Sequence, residues 1–148
     1  MSSEQRASAA TDSDIAALGN AIARSVLDWL DTLPAFETIG ILGASQGACV
    51  AFQVLRAAPS RFDYAINLSG YSLPGSEEGD AELQLSKPPV FWGRGDFDDA
   101  IPQDYISRTG IWLRKHSTLT ERIYEMGHNV CPAELDDVAA FVVEQIGD

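Results

Sequence analysis

The sequence predicts an α/β fold: a mostly parallel sheet of about four strands with helices on both faces. Three observations carry that prediction. Short apolar runs, TIGIL, YAINL and PVFW, recur along the chain with the alternating run LTERIYE. Segments with apolar residues three and four apart stand between and beside these runs. Glycines, prolines and acidic clusters separate the two kinds of segment. Strand and helix therefore alternate four times, which builds βα units and a parallel sheet.

Residues 1–148 are read as one domain, large enough to bury a core. Met1 to Thr11, rich in Ser and Ala, is expected to fray as a flexible tail. From Asp12 to about Leu30 the residues Ile15, Leu18, Ile22, Val26 and Trp29 form a stripe expected to pack on the core, with Asp12 or Ser13 as N-cap. Thr38 to Leu42 reads as a strand buried on both faces, and Ala48 to Leu55 as a helix stopped by Pro59. Tyr64 to Leu68 is the second strand. Residues 69–87, through GSEEGDAE, are expected to form a long loop, a length associated with function or mobility. Pro89 to Trp92 is the third strand, and Gln103 to Lys115 a helix burying Tyr105, Ile106, Thr109, Trp112 and Leu113. Thr118 to Glu125 supplies the fourth strand. Pro132 opens a last helix with Leu135, Val138, Phe141, Val142 and Ile146 on one side.

Between the first of these strands and its helix stands Gly43-Ala44-Ser45-Gln46-Gly47. Strand, G-x-S-x-G, helix is the pattern of a nucleophile elbow, in which glycines permit a tight turn that lifts a serine hydroxyl above the sheet. Ser45 is the candidate nucleophile, and the backbone N–H of Gln46 a candidate oxyanion donor. A serine hydroxyl needs a base, normally His, and the His needs an acceptor that fixes its tautomer. The chain has two histidines. His116, beside Lys115 where a helix runs out, reads as a solvent-facing cap. His128, in a Gly-flanked loop after the last strand, reads as general base and then general acid. Asp96, Asp98 and Asp99 all lie in one loop, and the residues alone leave the choice among them open. Tyr71 and Leu73 follow the carboxyl end of a strand, where open α/β sheets bind ligands, so they either line an acyl pocket or pack the loop. Phe97 joins them as a substrate-binding candidate.

A net charge of −12 and a pI near 4.3 argue against a nucleic-acid or anionic-membrane surface. The polar start lacks an apolar signal region and no run is long enough to span a bilayer, so a cytoplasmic location is the default expectation. Cys49 and Cys131 fit no metal or disulfide pattern and read as buried small residues of a reduced compartment; no metal and no cofactor is expected. Residues 40–47 lack the G-x-G-x-x-G spacing, and no Walker lysine follows, which disfavours a nucleotide site.

Taken together, GASQG, the segment Phe91 to Pro102 (FWGRGDFDDAIP) and Met126-Gly127-His128 resemble the serine carboxylesterases of the α/β-hydrolase superfamily, in the branch of acyl-protein thioesterases and lysophospholipases. The likeness covers most of Thr38 to Ile146. It implies a truncated α/β-hydrolase fold, Asp98 as the acidic member because it stands four residues before Pro102, and a small acyl ester or thioester as substrate. It also implies a gap. The family's front half carries further strands and a His-Gly loop that completes the oxyanion hole, and nothing before Thr38 matches it. Thr38 to Leu42 is then expected to be an exposed apolar edge, covered by a second copy in a homodimer.

Overall fold

The computed structural model describes residues 11–147. The expected tail, Met1 to Thr11, lies outside the described residues except for Thr11, which is ordered as the N-cap of the first helix. Its hydroxyl accepts the Asp14 N–H at 3.1 Å and the Asp14 carboxylate accepts the Thr11 N–H at 3.1 Å, a reciprocal capping box that displaces the expected caps Asp12 and Ser13.

The elements run α1 (Asp12–Leu30), β1 (Gly40–Ala44), α2 (Gln46–Ala57), a 3₁₀ turn (Pro59–Arg61), β2 (Tyr64–Leu68), α3 (Asp80–Ser86), β3 (Pro89–Gly95), α4 (Gln103–His116), β4 (Thr118–Tyr124) and α5 (Pro132–Ile146). The four strands are all parallel in the order β1-β2-β3-β4. The register aligns Ile41, Ala65, Val90 and Leu119 in one row, which faces Phe52, Val54 and Leu55 of α2 and Ile106 and Leu113 of α4. One residue on, Ile66 and Phe91 point to the other face, against Val138 and Phe141 of α5. Helices therefore cover both faces.

Two apolar faces are turned differently from expectation. In α1 the buried residues are Gly19 and Ala23, while Leu18 and Trp29 are 64% and 60% exposed. Small residues win the inward face because they let α1 approach α2 closely: a side chain at Gly19 would run into Leu73 and Gln53. In α5, Val138 and Phe141 are buried but Leu135 and Ile146 lie outside. β1 begins at Gly40 and is covered on one face only, since Leu42 remains 55% exposed beyond the reach of α5.

The expected loop 69–87 contains α3, and its fastening is Arg56 of α2. That guanidinium, 1% exposed, donates Nε and Nη2 to the two oxygens of Asp80 at 2.8 Å each, Nη1 to Gln53 and the Leu73 carbonyl at 3.1 Å, and Nη2 to the Gly75 carbonyl at 2.8 Å. It also lies 5.2 Å from the centre of the Trp112 ring. Burial opposes the charge of Asp80, but the Arg56 hydrogen bonds, the Glu77 N–H and the nearby positive charge together outweigh it and hold the carboxyl below its ordinary range. A buried fork of donors used this fully adds geometric specificity as well as energy to the hold on α3.

Arg56→Ala strips the partner from Asp80 and from two carbonyls at once. Urea unfolding is expected to show a loss of about 3–5 kcal/mol, the scale for breaking a buried ion pair. Arg56→Lys is expected to restore little of it, because an ammonium does not form the fork. A loss below about 1 kcal/mol would show that α3 is held by other contacts.

Candidate active site

Ser45 joins β1 to α2 at φ 53 and ψ −122, a left-handed conformation unusual for a residue with a side chain. The turn is this tight because β1 and α2 nearly touch: a Cβ on Gly43 would collide with the Gly47 carbonyl. The Ser45 N–H donates to the Leu68 carbonyl at 2.8 Å, which ties the turn to the end of β2. Gln46 opens α2, where the first N–H groups have no carbonyl partner within the helix.

Asp98 and His128 reach the same place from the loops after β3 and β4. The loops are laced together: Asp96 Oδ1 accepts the Met126 N–H at 3.2 Å, and the Phe97 N–H donates to the Met126 carbonyl at 3.2 Å. A Cβ on Gly95 would strike the Met126 and Gly127 carbonyls, so glycine is what lets the loops cross. Ser45 Oγ stands 2.9 Å from His128 Nε2, and His128 Nδ1 stands 2.7 Å from Asp98 Oδ2. The other oxygen, Asp98 Oδ1, accepts the N–H groups of Ala100 and Ile101 at 2.9 and 3.2 Å. The Asp98 side chain is 2% exposed and that of His128 28%. Burial works against the charge on Asp98, yet the bond from His128 and the two backbone donors prevail, and the carboxyl is held below its ordinary range. With its acceptor ionised, the imidazole keeps its proton on Nδ1 and offers the Nε2 lone pair to the serine.

The three acidic residues left open by sequence thus part company. Asp98 faces the imidazole, Asp96 fastens the β4 loop, and Asp99 is exposed. His116 is not the solvent-facing cap expected of it. It is 7% exposed, its Nδ1–H donates to the Trp112 carbonyl at 2.7 Å, and its ring stacks on Trp112 at 4.5 Å. Tyr71 is half-buried against Tyr105, with ring centres 5.3 Å apart. Leu73 is 5% exposed and packs at Gly19 of α1, the loop-packing alternative. Phe97 is 63% exposed beside Gly127. Cys49 is buried, and burial pushes its thiol up to about 11, so it offers no thiolate near neutrality. Cys131, only half-buried, is the N-cap residue of α5. A cavity of about 900 Å³ between α3 and α4, lined by Asp80, Arg108, Trp112 and His116, is bordered by none of the three relay residues. Sequence reasoning passed over the turn 68–70, which touches both the serine and the histidine loop and carries no recognisable motif.

A parallel sheet whose strand-turn-helix junction holds a strained serine, with His and Asp in loops after later strands, is the α/β-hydrolase fold. The chain belongs to the phospholipase/carboxylesterase family, whose model matches residues 2–146. It is 28% identical over 132 residues to acyl-protein thioesterase 1 of Saccharomyces cerevisiae, covering 86% of this chain and 58% of that protein. To acyl-protein thioesterase 1 of Kluyveromyces lactis it is 30% identical over 112 residues, covering 72% and 49% respectively. Among solved structures, Zea mays acyl-protein thioesterase 2 superposes with a TM-score of 0.69 at 21% identity, over 96% of this chain and 69% of that one. The chain therefore spans about half the length of the curated relatives it matches.

The helix that follows the His128 loop buries one further carboxyl. Glu134, in the first turn of α5, is 0% exposed, sits over Gly93, and has no partner for either oxygen among the described residues. Burial first, and Asp137 second, raise its pKa above the ordinary carboxylate value. A raised folded-state pKa favours the neutral form, so this group's contribution is greatest at low pH and is lost as pH rises through the folded value. Glu134→Gln, always neutral, is expected to raise the melting temperature at pH 7 to 8, with the gain vanishing toward pH 4. A gain independent of pH would contradict a buried ionisable carboxyl.

Proposed function

We propose that this chain is a serine hydrolase of carboxylic esters or thioesters acting through an acyl-enzyme on Ser45. The reading rests above all on the relay Ser45 Oγ, His128, Asp98, with links of 2.9 and 2.7 Å. His128 Nε2 takes the hydroxyl proton as Ser45 Oγ attacks the carbonyl carbon, and the N–H of Gln46 donates to the developing oxyanion. Collapse expels the alcohol or thiol, which leaves with the proton held by His128. Water, deprotonated by the same imidazole, then attacks the acyl-serine and releases the acid. Asp98 holds the ring and balances the imidazolium. The acyl-protein thioesterase relatives favour thioesters, and no cofactor enters any step. We assign Tyr71 and Phe97 to the acyl group and the cytoplasm as the compartment.

A fluorophosphonate probe tests this directly. Wild-type protein is expected to label and Ser45→Ala not to. Asp98→Asn, which releases the imidazole to the wrong tautomer, is expected to label about 10³- to 10⁴-fold more slowly. Folded wild-type protein that refuses the probe would sink the reading.

One observation favours a second reading, a catalytically impaired hydrolase fold that serves as a binding or partner subunit. Gln46 is the only oxyanion donor proposed, and a missing donor costs about 10²- to 10³-fold, roughly 2.7–4 kcal/mol. The outer edge of β1 pairs with no strand among the described residues. Beside it runs a groove of about 360 Å³ lined by Val26, Trp29, Phe36, Ile39 and Ile41. In both readings we assign this edge, Thr38 to Leu42, to a homodimer contact. Sedimentation at micromolar concentration is expected to give a dimer that Leu42→Lys converts to a folded monomer. A wild-type monomer would leave the edge to a different polypeptide.

A further inference from the structure

Ser45 and His128 arrive from β1 and β4, the two outer strands, and the turn that ends β2 lies between them. On one side this turn holds the nucleophile. The Leu68 carbonyl accepts the Ser45 N–H at 2.8 Å, and a Cβ on Gly70 would fall 2.8 Å from the Ser45 carbonyl oxygen. On the other side it holds the base. Ser69 Oγ donates to the carbonyl of Asn129, the residue after His128, at 3.3 Å, while the Ser69 N–H donates to the Gly93 carbonyl at 2.8 Å. Asn67 Oδ1 accepts the Gly70 N–H at 2.7 Å and fixes the turn itself.

Ser69 has φ 56, where glycine would be at ease, and is 5% exposed. A side chain kept in that conformation needs a reason. The smallest side chain that adds a donor here is a hydroxymethyl group, and among the described residues its hydroxyl bonds only across to the His128 loop. We infer that Ser69 is a positioning residue of the relay: its hydroxyl fixes the Asn129 carbonyl and thereby sets where His128 Nε2 meets Ser45 Oγ. The inference rests on reading Ser45 and His128 as nucleophile and base. Misplacement by about 1 Å is enough to weaken a proton transfer of this kind severely.

Two substitutions separate the hydroxyl from the backbone. Ser69→Gly suits φ 56 but removes the hydroxyl; Ser69→Ala removes the hydroxyl and keeps the Cβ. Fluorophosphonate labelling rates and imidazole ¹⁵N spectra are read on both. The protein has two histidines, so buried His116 serves as the internal reference. Both variants are expected to label about 2- to 10-fold more slowly, the range for losing one hydrogen bond. The His128 nitrogens should shift while those of His116 stay, and Ser69→Gly should melt no lower than Ser69→Ala. Unchanged rates with unmoved His128 signals in both variants overturn the proposal. So does slowing in Ser69→Gly alone, which would assign the effect to backbone freedom. Should the wild type itself not label, the nucleophile reading fails, and the His128 shifts alone decide whether Ser69 places the imidazole.

Discussion

The structure turns on the near contact between β1 and the first turn of α2. Gly43 faces the Gly47 carbonyl with no room for a side chain, and the chain passes between them only by putting Ser45 at positive φ. Such a conformation costs about 1–3 kcal/mol and persists only where the surroundings over-determine it. Here they do: the Ser45 N–H is tied to Leu68, its carbonyl receives Ala48, and Ala48 is fully buried beneath Gly70. The strain has a consequence for chemistry. Ser45 is held at the N-terminal end of α2, where in the proposed reaction the first backbone N–H groups would receive the substrate carbonyl oxygen.

Bringing His128 to that hydroxyl is a problem of distance. β1 and β4 are separated by three strand spacings, about 14 Å in all. The parallel topology helps, since every strand ends on the same side and every following loop starts there. The remaining reach is supplied by two loops that support each other, one after β3 carrying Asp98 and one after β4 carrying His128. Asp96 and Phe97 bind the Met126 backbone, so the loops that carry Asp98 and His128 share one scaffold. The ion-dipole cage around Asp98, from Ala100 and Ile101, then leaves its second oxygen free for the imidazole.

Much of this was legible in the residues. Alternating strands and helices, the elbow at Ser45 and a histidine after the last strand are local patterns, and each falls in the predicted place. Most of what escaped depends on partners distant in sequence. α3 lies in an acidic, Gly-flanked stretch with little helical signal of its own, and it is fastened by Arg56, which stands 24 residues earlier. The inward face of α1 was misjudged because hydrophobicity ranks Leu18 and Trp29 above Gly19 and Ala23, whereas close helix packing rewards the small pair. His116 illustrates a signal available but unused. Its spacing of four from Trp112 allowed the stack that buries it.

Apart from Phe97, which stands next to Asp98, the largest exposed apolar group lies on α1, its connection to β1 and β1 itself, and that distribution constrains any account of how the chain works. Leu18, Ile22 and Trp29 fall on one outward stripe of α1, Phe36 lies in the connection to β1, and Leu42 lies on β1 itself. The relay stands at the carboxyl ends of the strands and is assembled from loops after β1, β3 and β4. Covering the apolar side therefore leaves the bond from Ser45 to His128 and the bond from His128 to Asp98 as they are. In the proposed dimer, a second copy along β1 would supply pairing for its outer backbone groups, shelter for Leu42 and donors beside the strand that carries Ser45. In the proposed reaction the proton relay is thus internal to this chain, while the stabilisation of the oxyanion beyond Gln46 depends on whatever lies along that edge.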